Sequence, residues 1–204
     1  MPPYPDVLVM DLGGVTCRWL PDRRLTSLSD LSGLPPSTID QAVFESGFDD
    51  AGERGRFSLD EFASELLRLL GLAPTPELAD AVRAAWATAF DPDPRVLKLI
   101  RAARCKSALF TNNGPLLEAG LVEDLTDVGG TFDQVLFSWR LGCTKPDPQA
   151  FELATERLSV DPARILFVDD SAANVEAADA FGWQTHRYTN SLNLQAALAG
   201  VSLI

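Results

Sequence analysis

Short apolar runs recur along the chain at Val7–Met10, Ala108–Phe110, Gln134–Phe137 and Ile165–Val168, with a weaker one at Thr185–Tyr188. Each is bounded by turn-forming or charged residues. Runs of this kind predict buried strands, covered on both faces. Between them the apolar positions repeat at helical spacing. Arg95–Arg104 carries Val96, Leu97, Leu99 and Ile100; Pro148–Leu158 carries Phe151, Leu153 and Leu158; Ala172–Phe181 is alanine-rich. Strands alternating with helices predict βαβ units and a parallel sheet.

Residues 17–91 break this rhythm. They contain no convincing strand and read as helices at about Arg23–Leu31, Ser37–Ser46, Ser58–Leu70 and Pro76–Ala89. Ser58 followed by Glu61 has the pattern of a capping box. Gly71 is a stop for that helix, and Pro74 and Pro76 punctuate the gap after it. The Asp91-Pro92-Asp93-Pro94 stretch reads as a hinge. The pattern therefore predicts an α/β fold: a Rossmann-like core, residues 1–16 and 92–204, with a helical unit, residues 17–91, inserted after the first strand.

Composition narrows the class. The 204 residues are 46% hydrophobic and 23% charged, ordinary for a globular chain with a sizeable core. A formal net charge of −12 disfavours nucleic acid and anionic membrane as partners. It leaves room for a small anionic substrate, because a metal and one lysine reverse the field locally. Cys17, Cys105 and Cys143 form no CxxC pair, which argues against zinc and disulfides and for a reduced, cytoplasmic setting. The opening MPPYPD lacks the basic and apolar regions of a signal peptide. No apolar run reaches the length of a membrane span. Oligomeric state is left open.

In open α/β sheets ligands bind at the carboxyl ends of the strands. Four such ends are polar here: Asp11, Thr111-Asn112-Asn113, the loop carrying Lys145, and Asp169-Asp170. Three carboxylates drawn together need a cation among them, and hard oxygen ligands favour Mg²⁺. The metal and Lys145 would hold a phosphoryl group while Asp11 attacks it, giving an aspartyl-phosphate.

Four stretches, "VLVMDLGGVT", "ALFTNN", "GCTKPDPQAF" and "ILFVDDSAANVEAADAFGW", together resemble the ordered motifs of the haloacid dehalogenase superfamily. The likeness runs over nearly the full length. The helical insert is similar to the family's small cap domain. "ERGRFSLDEF" and "DDSAANV" resemble the branch holding sugar-1-phosphate phosphatases and the phosphatase domain of epoxide hydrolases. The resemblance implies a Mg²⁺-dependent hydrolase of a small phosphorylated metabolite. Asp11 is then nucleophile and metal ligand, with the Gly13 carbonyl, Asp169 and Asp170 completing the metal site. Thr111, Asn112, Lys145 and the Gly13-Gly14 turn face the substrate. Thr111 and Lys145 assist Asp11, and Asn174 supports the fourth motif.

One departure bears on chemistry. Family phosphatases carry a second aspartate two residues after the nucleophile, as acid and base; here that position is Gly13. General acid–base catalysis contributes roughly 10²–10⁴-fold, so turnover of unactivated esters is expected to be weak. Water, the substrate, or a cap residue such as Asp22 or Glu45 would have to stand in. Two alternatives stay open: metal-independent, dehalogenase-type substitution at Asp11, or a catalytically impaired binding protein. Asp49-Asp50 reads as a solvated loop and His186 as structural. Cys17 reads as unactivated and the tryptophans as packing residues, with Trp19 and Trp86, flanking or inside the insert, as weak candidates for touching substrate. Arg18, Arg23, Arg24, Arg54 and Arg56 are weak candidates for meeting an anionic substrate.

Overall fold

The strand β1, Val7–Met10, is buried along its whole length. Its successive side chains point to opposite faces of a sheet, as the period of two requires. Val7 and Val9 join one core, and Leu8 and Met10 another. The structure, a computed structural model, describes residues 3–204. Met1 and Pro2 of the MPPYPD segment lie outside the described residues.

After β1 the chain forms a short strand, β2 (Cys17–Trp19), and then a run of helices: α1 (Pro21–Ser32), α2 (Pro36–Asp40), α3 (Phe48–Glu53), α4 (Leu59–Leu69) and α5 (Pro76–Ala87). Strand β3 (Phe90–Pro92) pairs antiparallel with β2. There follow α6 (Pro94–Ala102), β4 (Lys106–Thr111), α7 (Pro115–Glu123), α8 (Thr126–Gly129), β5 (Gln134–Phe137) and α9 (Ser138–Leu141). The chain ends with α10 (Pro148–Leu158), β6 (Ile165–Asp169), α11 (Ala172–Phe181), β7 (Gln184–Arg187) and α12 (Ser191–Gly200). Five strands make one sheet in the order β5-β4-β1-β6-β7, and every neighbouring pair is parallel. This is the Rossmann-type α/β architecture expected from the alternation of runs.

Helices cover both faces of the sheet. On one, Phe151 of α10 and Ala178 of α11 meet Val9, Phe110 and Phe167. On the other, Val96 and Ile100 of α6 and Leu194 and Leu198 of α12 meet Leu8, Met10 and Val168. A third cluster joins the helical segment to the sheet: Phe62, Leu66 and Trp86 pack in one group with Leu12, Leu109 and Phe137. The capping box of α4 forms: Ser58 Oγ accepts from the Glu61 amide, and Glu61 accepts from the Ser58 amide at 2.8 Å.

The structure corrects several sequence expectations. Residues 17–91 do contain a strand, β2, and most of β3; each is only three residues long, too short to show a period. The helix expected over Ser37–Ser46 is two pieces, α2 and a wider π-type turn at Gln41–Glu45. Asp49-Asp50 lies in helix α3 rather than in a loop. Helices α7 and α12 also went unpredicted: α7 is apolar nearly all round, and α12 shows little helical periodicity in its apolar residues. Among the described residues no helix is long and apolar enough to cross a membrane.

Candidate active site

Strand register explains why distant polar residues meet. Met10 lies level with Leu109 of β4 and Val168 of β6. The next residue on each strand is therefore Asp11, Phe110 or Asp169, side by side at the carboxyl edge. The Asp11 amide donates to the Val168 carbonyl at 2.9 Å, which holds the strand end in line.

Lys145 organises this edge. Its Nζ donates to Asp11 Oδ1 at 2.7 Å, to Asp169 Oδ2 at 2.8 Å and to the Phe110 carbonyl at 2.8 Å. All three ammonium hydrogens are thereby used, and the residue is 4% exposed. Burial opposes its charge, but Asp11 and Asp169 outweigh that and hold its pKa above the usual lysine range. The Asn112 side chain positions the lysine: Nδ2 donates to the Lys145 carbonyl at 2.8 Å, and Oδ1 accepts from the Lys145 amide at 2.9 Å.

Asp169 is fully buried and saturated, accepting from Lys145, from the Ser171 amide and from Asn174 Nδ2. Asn174 thus does support the fourth motif. Burial is the main cause that raises the Asp11 carboxyl, to about 6, and Lys145 only partly reverses it. Burial and then Asp169 raise Asp170 as well. Oxygens of Asp11, Asp169 and Asp170 lie within 4.8 Å of one another. Three carboxyls against one ammonium is a set short of positive charge, with hard oxygen donors only, and it fits Mg²⁺. Asp11 and Asp170 keep oxygens free for such an ion.

Gly14 was expected to face substrate. It packs instead on the acidic group: a Cβ there would fall 2.3 Å from Asp170 Oδ2, and its φ of +83° is in the left-handed region. Thr111 is buried beside the lysine, with its Oγ1 accepting from Asn113 Nδ2 at 2.7 Å.

These residues floor a cavity of about 310 Å³, within the range of small-molecule sites. Asp11, Gly13, Thr111, Asn112, Lys145, Asp169 and Asp170 all line it. Its other walls come from the helical segment. Trp19, Phe44 and Phe90 supply an aromatic side, and Arg24, Asp40, Asp49 and Glu53 supply charge.

Arg24, one of five weak candidates by sequence, is 3% exposed. It stacks over Trp86 at 4.1 Å and donates from Nε to the Trp86 carbonyl at 3.0 Å. Burial lowers its pKa to about 10, against the pull of Asp49 and Glu53. Asp49 and Glu53 were missed, because α3 is only six residues long and its place beside the cavity leaves no local pattern. Of the stand-in acids suggested by sequence, Asp22 lines a separate surface cleft and Glu45 is exposed; neither lines this cavity. Trp86 is buried in the core, and His186 bonds Asn193 at 2.6 Å away from the cavity. Burial, then Asp11, pushes the Cys17 thiol up to about 12, which leaves it unactivated.

Comparison with known proteins agrees with this geometry. The profile of the haloacid dehalogenase-like hydrolases matches residues 39–182. The chain is 28% identical over 200 residues to D-ribitol-5-phosphate phosphatase of Bacteroides thetaiotaomicron, covering 94% of this chain and 95% of that one. It superposes on a HAD-like hydrolase of Porphyromonas gingivalis with TM-score 0.79 and 23% identity, covering 98% of each chain. It also superposes on a HAD-family enzyme of Bacteroides thetaiotaomicron, solved with magnesium and inorganic phosphate, with TM-score 0.72 and 21% identity over 91% and 94% of the two chains. With a family profile over most of its length and a sheet edge of this composition, the chain belongs to the haloacid dehalogenase-like hydrolases, and it is an enzyme.

Proposed function

We propose that this enzyme hydrolyses a small phosphorylated metabolite with Mg²⁺, Asp11 being the nucleophile. The observation that carries the reading is the triple engagement of Lys145 Nζ at the floor of the cavity. It holds Asp11 and Asp169 together and fixes the Asp11 carboxyl at the cavity floor for attack. Asp11, the Gly13 carbonyl and Asp170, with Asp169 behind them, would hold the ion, which supplies charge neutralisation for the phosphoryl oxygens. Thr111 and the Asn112 amide are suited to bind those oxygens, and Lys145 offsets charge on Asp11 and phosphate. Attack by Asp11 gives an aspartyl-phosphate, which water then cleaves. The likeness to a polyol-phosphate phosphatase supports a substrate of similar size. In this reading residues 17–91 act as a cap on a core of residues 1–16 and 92–204.

Metal-independent substitution is disfavoured, because three clustered carboxyls balanced by one ammonium would repel. Gly13 itself contributes no proton transfer. Asp11→Asn is expected to reduce p-nitrophenyl phosphate turnover to background, and EDTA to stop the wild-type enzyme until Mg²⁺ is restored. Persistent turnover in Asp11→Asn, or indifference to EDTA, would refute the reading.

A further inference from the structure

A phosphoester that loses an alkoxide needs a proton, and position 13 carries none. A Cβ at Gly13 would meet Phe90 at 3.5 Å and Trp19 at 3.8 Å, so the space beside it is lined with aromatic rings. The acidic residues of the helical segment that line the cavity are Asp40, Asp49 and Glu53.

Glu53 differs from the other two in how it is held. Its carbonyl accepts from Ser138 Oγ at 2.8 Å, and the same hydroxyl accepts from the Asn113 amide at 3.1 Å. Gly114 lies so close that a Cβ there would fall 3.7 Å from the Glu53 amide nitrogen. The end of α3 is therefore fastened to the Thr111–Gly114 loop, which borders the reacting centre. Among the described residues the Glu53 carboxyl makes no hydrogen bond or ion pair. Arg24 adds a second sign of a missing ligand. It lines the same cavity, and its Nη2 is buried with no hydrogen-bond partner among the described residues. A buried donor left unpaired is costly, and a substrate oxygen would satisfy it.

We propose that Glu53 is the general acid and base of this site, acting from the helical segment in place of the residue that position 13 lacks, with Arg24 Nη2 donating to a substrate oxygen nearby. This rests on the phosphohydrolase reading. As the Asp11 Oδ–P bond forms and the ester P–O bond breaks, the Glu53 proton passes to the leaving oxygen, which departs as an alcohol. The Glu53 carboxylate then takes a proton from the water that attacks phosphorus. The P–O bond to Asp11 breaks, and inorganic phosphate, the Asp11 carboxylate and protonated Glu53 are restored.

Protonation suits the role. Burial, then Asp49 and Asp50 on α3, raise the Glu53 carboxyl to about 8, while Arg24 and Arg54 oppose. Arg140 on the adjoining α9 is held by Glu118. Glu53 therefore keeps its proton at neutral pH, whereas Asp49, raised to about 6 mainly by burial, mostly does not.

The test compares kcat/KM of the Mg²⁺-loaded enzyme on glycerol phosphate and on p-nitrophenyl phosphate, whose leaving group needs no proton. Glu53→Gln is expected to lose about 10²-fold or more on the alkyl ester, and at least about tenfold less than that on the aryl ester. The alkaline limb of the wild-type alkyl profile, expected near the Glu53 value of about 8, should vanish with it. Adding Gly13→Asp to Glu53→Gln should regain alkyl activity, because the new Cβ meets only ordinary contacts. If Glu53→Gln melts too low to assay, Glu53→Asp replaces it: the alkaline limb should stay while alkyl activity falls more than aryl. Equal losses on the two esters, or an alkaline limb unchanged in Glu53→Gln, overturn the assignment and leave the phosphohydrolase reading intact. A wild-type enzyme that releases no phosphate from either ester overturns both.

Discussion

Gly14 and Gly13 are neighbours with opposite reasons for being glycine. At Gly14 the backbone is left-handed, and any Cβ would collide with the Asp170 carboxyl. Gly14→Ala should push Asp170 out of the acidic group and weaken Mg²⁺ binding about 10–100-fold, the usual cost of disturbing the support of a metal ligand. Titration calorimetry with Mg²⁺ alone checks this; unchanged affinity would mean that Asp170 is not a ligand. At Gly13 the backbone sets no such demand, and a Cβ there would meet only ordinary contacts. Asp11, Thr111 and Asp169 were legible in the sequence because each is a polar residue at or just beyond an apolar run, and Lys145 because its loop, GCTKPDPQAF, resembles a family motif. Asp49 and Glu53 were not, and Arg24 was only one of five weak candidates, because no local pattern records the packing that brings them to one cavity.

Among the elements, α4 was the most legible helix of the inserted segment. Its cap is local chemistry, with both partners three residues apart. Ser58→Ala should lower stability by about 1 kcal/mol in urea unfolding and leave kcat/KM unchanged, because α4 faces the core rather than the cavity. A cost near zero would show that the capping bonds add nothing beyond hydration. Strands β2 and β3 lie at the other extreme. Their pairing joins Arg18 to Asp91 across the whole inserted segment, and the same two side chains form an ion pair. Three-residue strands carry no readable period, so only their partner defines them. Helix α3 illustrates a third case: it is six residues long and buries only Gly52, whose missing side chain lets Phe62 of α4 approach.

Across the whole molecule, holding half-buried acids on α3 ties stability to pH. Glu53 and Asp49 have folded pKa values of about 8 and about 6, above their unfolded values of 4.5 and 3.8. The native state thus binds protons more strongly than the unfolded chain across these windows, and its stability falls as pH rises through them. In EDTA, the melting temperature should drop from about pH 6 to about pH 8, and Glu53→Gln should flatten the drop; an unchanged slope would show that Glu53 titrates normally. By itself the sequence determined the parallel α/β core, the five strand segments of its sheet and the acidic and basic residues at the strand ends. These follow from local periodicity and from the rule that parallel strands deliver their carboxyl ends to one edge. The tertiary structure alone decided which residues of the insert reach that edge, that Gly14 supports an acid rather than a substrate, and that Glu53 and Arg24 share the cavity with Asp11. Those outcomes depend on burial and on contacts between residues far apart in the chain, which hydrophobic periodicity does not encode.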